Sequence, residues 1–158
     1  MNRILLLILL LIITISAKGQ TNLSAKTNTE YDAALAQKLG ADDYGMHRYI
    51  MAFLKAGPTK IEDKAKLAEL QKAHLRNITR LVNAGKLVVA GPFMDEGDVE
   101  GIFIFNVQSI EEARTLTETD PAIQAGTLTM ELRPFYCSAA LLEIPQLHKK
   151  LAKKSFAD

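Results

Sequence analysis

Between Lys60 and Ala84 the apolar residues Leu67, Leu70, Ile78 and Leu81 recur at helical spacing. At about 100° per residue they share one face, while Glu69, Lys72, Arg76 and Arg80 turn away. The pattern predicts a long amphipathic helix over 60–84, stopped by Gly85. Elsewhere the apolar residues crowd into short β-branched or aromatic runs. Met46–Leu54, ending before Gly57-Pro58, predicts a first strand, and Lys86–Ala90, running into Gly91-Pro92, a second. The turn residues Asp95-Glu96-Gly97-Asp98 lead to a third strand, Gly101–Val107, antiparallel to the second. Ser109-Ile110-Glu111-Glu112 has the S-x-x-E form of a capping box and opens a helix to about Thr117. Asp120-Pro121 supplies an N-cap and an N1 proline for a short helical turn closed by Gly126, and Leu128–Tyr136 is the fourth strand. Outside this block, a short helix is predicted from Glu30 to Leu39, stopped by Gly40, and a surface helix from Gln146 to Lys154.

The order β-α-β-β-α-β predicts an α+β ferredoxin-like fold, a four-stranded antiparallel sheet with two helices on one face. In all four strands apolar side chains occur at both parities, as in Ile102 and Ile104 against Phe103 and Phe105. Both faces of the sheet are therefore expected to be buried, the second by a partner chain, which predicts a homodimer.

His74 lies near the centre of the apolar stripe, where leucine would carry no polar atom to satisfy. It is either a structural histidine held by a carbonyl or water, or a ring kept for chemistry. Arg48 and Arg133 fall in predicted strands, where a buried guanidinium would bind a carboxylate or phenolate, although Glu131 stands ready to neutralise Arg133. Gly91-Pro92 either ends a strand or shapes a pocket wall through backbone geometry. Cys137 is the sole cysteine and ends an apolar strand without activating neighbours, which reads as a buried structural thiol. His47, His74 and His148 share no metal-ligand spacing, and no glycine-rich phosphate loop occurs, so neither metal nor cofactor is expected.

Met1-Asn2-Arg3 followed by the apolar run Ile4–Ile13 resembles a secretory leader. Cleavage after Gly19 gives segments 1–19 (signal peptide), 20–43 (flexible lead-in and short helix), 44–137 (the α+β domain) and 138–158 (C-terminal tail). The expected product is secreted or periplasmic, with no stable membrane insertion after cleavage. The full chain has 19 basic and 18 acidic residues, and losing Arg3 and Lys18 moves its net charge from +1 to −1. That balance argues against a nucleic-acid partner.

His74, then the run Leu81–Phe93 with its A-G-K-L-V-V-A-G-P-F core, Gly101, Ser109–Ala113, Asp120-Pro121 and Gly126 together resemble the YCII-related family from about Met46 to Tyr136. The resemblance implies a dimeric α+β barrel and a pocket with a His-Asp acid-base pair, in the positions of His74 and Asp120. It further implies isomerisation or elimination on a small cyclic or aromatic molecule. The leader, the segment from Glu30 to Leu39 and the C-terminal tail depart from the short members of that family. The reading set against it is a non-catalytic dimer that binds a small ligand or serves assembly, with His74 a satisfied core residue.

Overall fold

The computed structural model describes residues 28–154. The expected leader lies outside these residues. Contacts divide the chain into two units, 1–31 and 32–158. In the first, the described residues form a turn in which the Tyr31 amide donates to the Asn28 carbonyl.

The second unit contains α1 (Ala33–Lys38), β1 (Met46–Ala56), α2 (Lys64–Asn83), β2 (Leu87–Pro92) and β3 (Val99–Phe105). It continues with α3 (Ile110–Thr117), α4 (Pro121–Gln124), β4 (Leu128–Ser138), a 3-10 turn (Ala139–Glu143) and α5 (Ile144–Leu151). The sheet order is β2-β3-β1-β4 with every neighbouring pair antiparallel, the ferredoxin-like α+β arrangement.

Local chemistry moves several boundaries from their expected places. The first helix begins at Ala33 because the Asp32 carboxylate accepts from the Leu35 amide, and α2 begins at Lys64 because Asp63 accepts from Ala65 and Lys66. Residues before Asp63 are drawn elsewhere: the Gly57 and Thr59 amides donate to the carbonyls of Thr127 and Gly126. At the far end of α2, Gly85 adopts φ +69°, the left-handed geometry that stops a helix. Gly91-Pro92 belongs to β2 and does not terminate it before Gly91. β2 is an edge strand, where a proline's missing N–H costs no ladder bond. The C-terminal helix starts early, at Ile144, with Pro145 in its first turn.

One face of the sheet packs Ile50, Ala52, Leu54, Leu87, Phe103 and Phe105 against Ile78 and Leu81 of α2 and Ala113 of α3. The other face buries Tyr49, Val88 and Ile104 beneath Leu141 and Leu142 of the 3-10 turn. The chain thus covers one end of its second face with its own C-terminal segment, where a partner chain was expected. Met51, Phe53 and Ile102 on that face stay half-buried.

Two β-bulges disturb the ladder. Leu87 pairs with Phe105 and Val89 with Ile104, leaving Val88 as an extra residue. Leu54 pairs with Gly101 and Lys55 with Val99, leaving Glu100 as another, beside the cavity described next.

Candidate active site

His74 sits on the buried face of α2, one turn before Ile78, and its ring lies parallel to that of Phe103 from β3, with centroids 6.0 Å apart. Asp120 comes from the other side of the fold, at the junction of α3 and α4. Its backbone is extended there, and its Oδ1 accepts from the Ala122 amide at 2.9 Å, the N-cap expected from Asp-Pro. The same carboxylate meets Nδ1 of His74, at 2.8 Å to Oδ2 and 3.0 Å to Oδ1. Asp120 is 1% exposed and His74 7%.

The partners settle the tautomer of the neutral ring. An ionised carboxylate only accepts, so Nδ1 carries the hydrogen and Nε2 keeps its lone pair. Nε2 has a different environment. Among the described residues, Asn77 Nδ2 is the one buried side-chain polar atom without a partner. Among the described residues Nε2 makes no protein hydrogen bond and is not sealed in, and the ring that carries it lines a cavity.

That cavity has a volume of about 470 Å3 and lies between α2 and the β2–β3 pair. Leu67, Leu70 and Leu75 of α2, Ala90 and Pro92 of β2, and Phe103 and Leu128 form most of its wall, with Gln71, Glu100 and Thr127 as the other polar contributors. Gly101 sets one side of its shape: a Cβ there would lie 2.6 Å from the Gly91 carbonyl oxygen and 3.0 Å from the Pro92 Cα. Only glycine lets the two strands close at this place.

A second contact between the same elements stands next to the pair. Asn77, one turn after His74, accepts at Oδ1 from Arg80 (2.7 Å), and the same guanidinium donates at 2.7 Å to the hydroxyl oxygen of Thr119, the residue before Asp120. The α2 surface thereby holds the segment carrying the carboxylate at two successive positions.

The expected site residues separate into two groups. His74, Gly91 and Pro92 line the cavity, with Asp120 behind His74. The arginines do not join them. Arg48 is exposed and lines a different cavity with Asp42, Ser109 and Tyr136. Arg133 is exposed on the sheet face away from the helices, bonded to Glu131 as its sequence spacing allowed, with its guanidinium 5.6 Å from the Phe53 ring centroid. Glu131 also accepts from Lys55 at 2.6 Å, and Lys55 first and Arg133 second hold its carboxyl below the usual range. Cys137 is half-buried on that same face, packed near Tyr49. Gln71, Glu100, Gly101 and Thr127 are cavity residues that were not singled out as site residues. Gly101 stood among the quoted motif positions; Glu100 owes its place to a bulge, which carries no sequence signal of its own.

Among the described residues no group of three or more His, Cys, Asp or Glu side chains could hold a metal ion, and no helix is long and apolar enough to cross a membrane.

The family model for the YCII-related domain matches residues 49–136, more than half of the chain. No curated protein matches it significantly. Among solved structures, the chain is similar to 5-chloro-2-hydroxyhydroquinone dehydrochlorinase (TftG) from Burkholderia phenoliruptrix AC1100, in complex with 2,5-dihydroxybenzoquinone. The identity is 22% and the TM-score 0.42, over 54% of this chain and 90% of that one.

Proposed function

The chain belongs to the YCII-related family, and we propose that it is a small cofactor-independent enzyme that moves protons on a small cyclic or aromatic substrate, in the manner of an isomerase or lyase. One observation carries this reading: a buried carboxylate occupies Nδ1 of His74 while Nε2 stays free at an apolar cavity. A histidine kept only for packing would have both nitrogens satisfied.

In the proposed reaction Nε2 takes a proton from an acidic C–H or O–H of the bound ring. Asp120 stabilises the resulting imidazolium through Nδ1–H, and the proton returns to a different atom of the substrate, or a leaving group departs in its place. Apolar walls exclude water and strengthen the pair's electrostatics. We further propose that the enzyme acts after export, released from the leader 1–19, and as a homodimer. The dimer is supported by the apolar strip of Met51, Phe53 and Ile102, which stays only half-buried on the sheet face away from the helices.

The test needs no known substrate. Cyclic ketones, lactones and dihydroxyarenes are incubated in D2O with the protein, and deuterium uptake at carbon is followed by NMR. The expected result is uptake that His74→Ala slows by about 10²–10⁴-fold. A panel in which no compound exchanges faster with the unaltered protein than with His74→Ala overturns the reading.

A further inference from the structure

The charge lining the cavity is one-sided. Among the described residues no Lys or Arg lines it, and its lining includes Glu100, with the Asp120 carboxylate directly behind His74. With a neutral imidazole the pair itself carries a full negative charge. The loop beside the cavity adds to this: between Leu87 and Gly101 stand Asp95, Glu96, Asp98 and Glu100 and no basic residue. None of these four acids takes part in an ion pair among the described residues. Arg48 and Arg133 lie elsewhere, one at a separate cavity and one tied to Glu131, and Arg80, which binds Asn77 and Thr119 next to the pair, does not line the cavity. Glu100 is the extra residue of the β3 bulge, the kind of irregularity that re-aims a side chain next to a site.

We propose that this cavity takes an uncharged ring bearing a weakly acidic X–H group and rejects carboxylates, phosphates and other anions, with the bulged Glu100 at its rim setting much of that choice. The inference rests on the reading of His74 as the group that meets the substrate. An anion entering would lose its hydration in an apolar space without gaining a counter-charge, and would meet repulsion from Glu100 and the pair. A neutral acid meets neither cost. Its proton passes to Nε2 without changing the total charge of the cavity, so the anion exists only opposite the imidazolium that its own ionisation created.

The experiment compares phenol and benzoate, rings of the same size that differ in charge at neutral pH, by following the amide signals of Gly91 and Gly101 in 1H–15N spectra of the full chain. Phenol is expected to shift both signals, with benzoate weaker by about 30-fold or more. Glu100→Gln is expected to raise benzoate affinity about fivefold relative to phenol, and added salt to narrow the same gap. Benzoate binding within threefold of phenol overturns the proposal, as does phenol leaving both amides unmoved. An unchanged ratio in Glu100→Gln removes the role of Glu100. His74→Gln separates this inference from the function it builds on: if the unaltered protein exchanges deuterium no faster than His74→Gln while both keep the phenol preference, the catalytic reading falls and the charge rule survives.

Discussion

The molecule holds two histidines in opposite circumstances, and the contrast shows what distinguishes a site from a fastening. His47, on β1 at the sheet face away from the helices, has Nδ1 3.1 Å from the Gly40 carbonyl oxygen and Nε2 3.2 Å from Oδ1 of Asn106. Asn106 is oriented by its own Nδ2, which donates to the Gly85 carbonyl. Both nitrogens of His47 thus face protein oxygens, one on the segment after α1 and one just beyond β3. His74 spends one nitrogen, on a carboxylate, and leaves the other at a cavity. Burial alone would have ranked the two rings; what each has left over assigns their roles.

The sharpest way to break the contrast is to spoil the tautomer of His74. In Asp120→Asn one of the two carboxylate oxygens facing Nδ1 becomes an NH2 donor, while an amide oxygen still caps α4. The ring is expected to shift its hydrogen to Nε2, visible in long-range 1H–15N spectra, and proton-transfer rates to fall by about 10²–10⁴-fold. An Asn variant with unchanged tautomer and rate would reduce His74 to the standing of His47.

Next in size is the stability of the pair. His74→Leu suits the apolar stripe yet strands a carboxylate that is 1% exposed, and urea unfolding is expected to show a loss of about 3–5 kcal/mol. Adding Asp120→Asn should restore part of it, since no buried charge then remains. A harmless His74→Leu would mean that the carboxylate finds water.

Tyr49, the ring beside His47, gives a pH-dependent counterpart. Its hydroxyl donates to the Ser138 carbonyl, and burial first, with Cys137 second, pushes its pKa from 10.0 to about 12. The raised value means that the folded state holds this proton more tightly than the unfolded chain does. The contribution, roughly 3 kcal/mol, is whole below pH 10 and disappears as pH rises to about 12. Tyr49→Phe should flatten the alkaline limb of the stability curve, and an identical limb in both proteins would contradict it. The smallest effect belongs to His47 itself. His47→Leu is expected to cost about 1–2 kcal/mol through the lost polar contacts to Gly40 and Asn106 and to leave deuterium exchange within twofold.

How much of this was legible in the sequence depends on the range over which each feature is determined. The position of His74 on its stripe follows from helical arithmetic, and the cap at Asp120 from a local dipeptide preference; both stand where they were expected. Their meeting spans 46 residues, and no local pattern encodes it; the family resemblance supplied the pairing. Arg48 and Arg133 stood as candidate binders because they fall in strands, with Glu131 as the alternative partner of Arg133, but alternation cannot tell a strand's middle from its ends or say which face the chain leaves open. Glu100 was invisible because a bulge breaks the two-residue period. The half-cover by Leu141 and Leu142 was missed because the tail's own register begins at Ala139, before the helix that its charges advertise.

Asp120 both starts α4 and completes the histidine pair. During synthesis, a ribosome that has delivered the first 119 residues has made His74, most of its pocket wall and none of its partner. The order of manufacture therefore places the arming of the site after the synthesis of the three strands and the long helix that surround it.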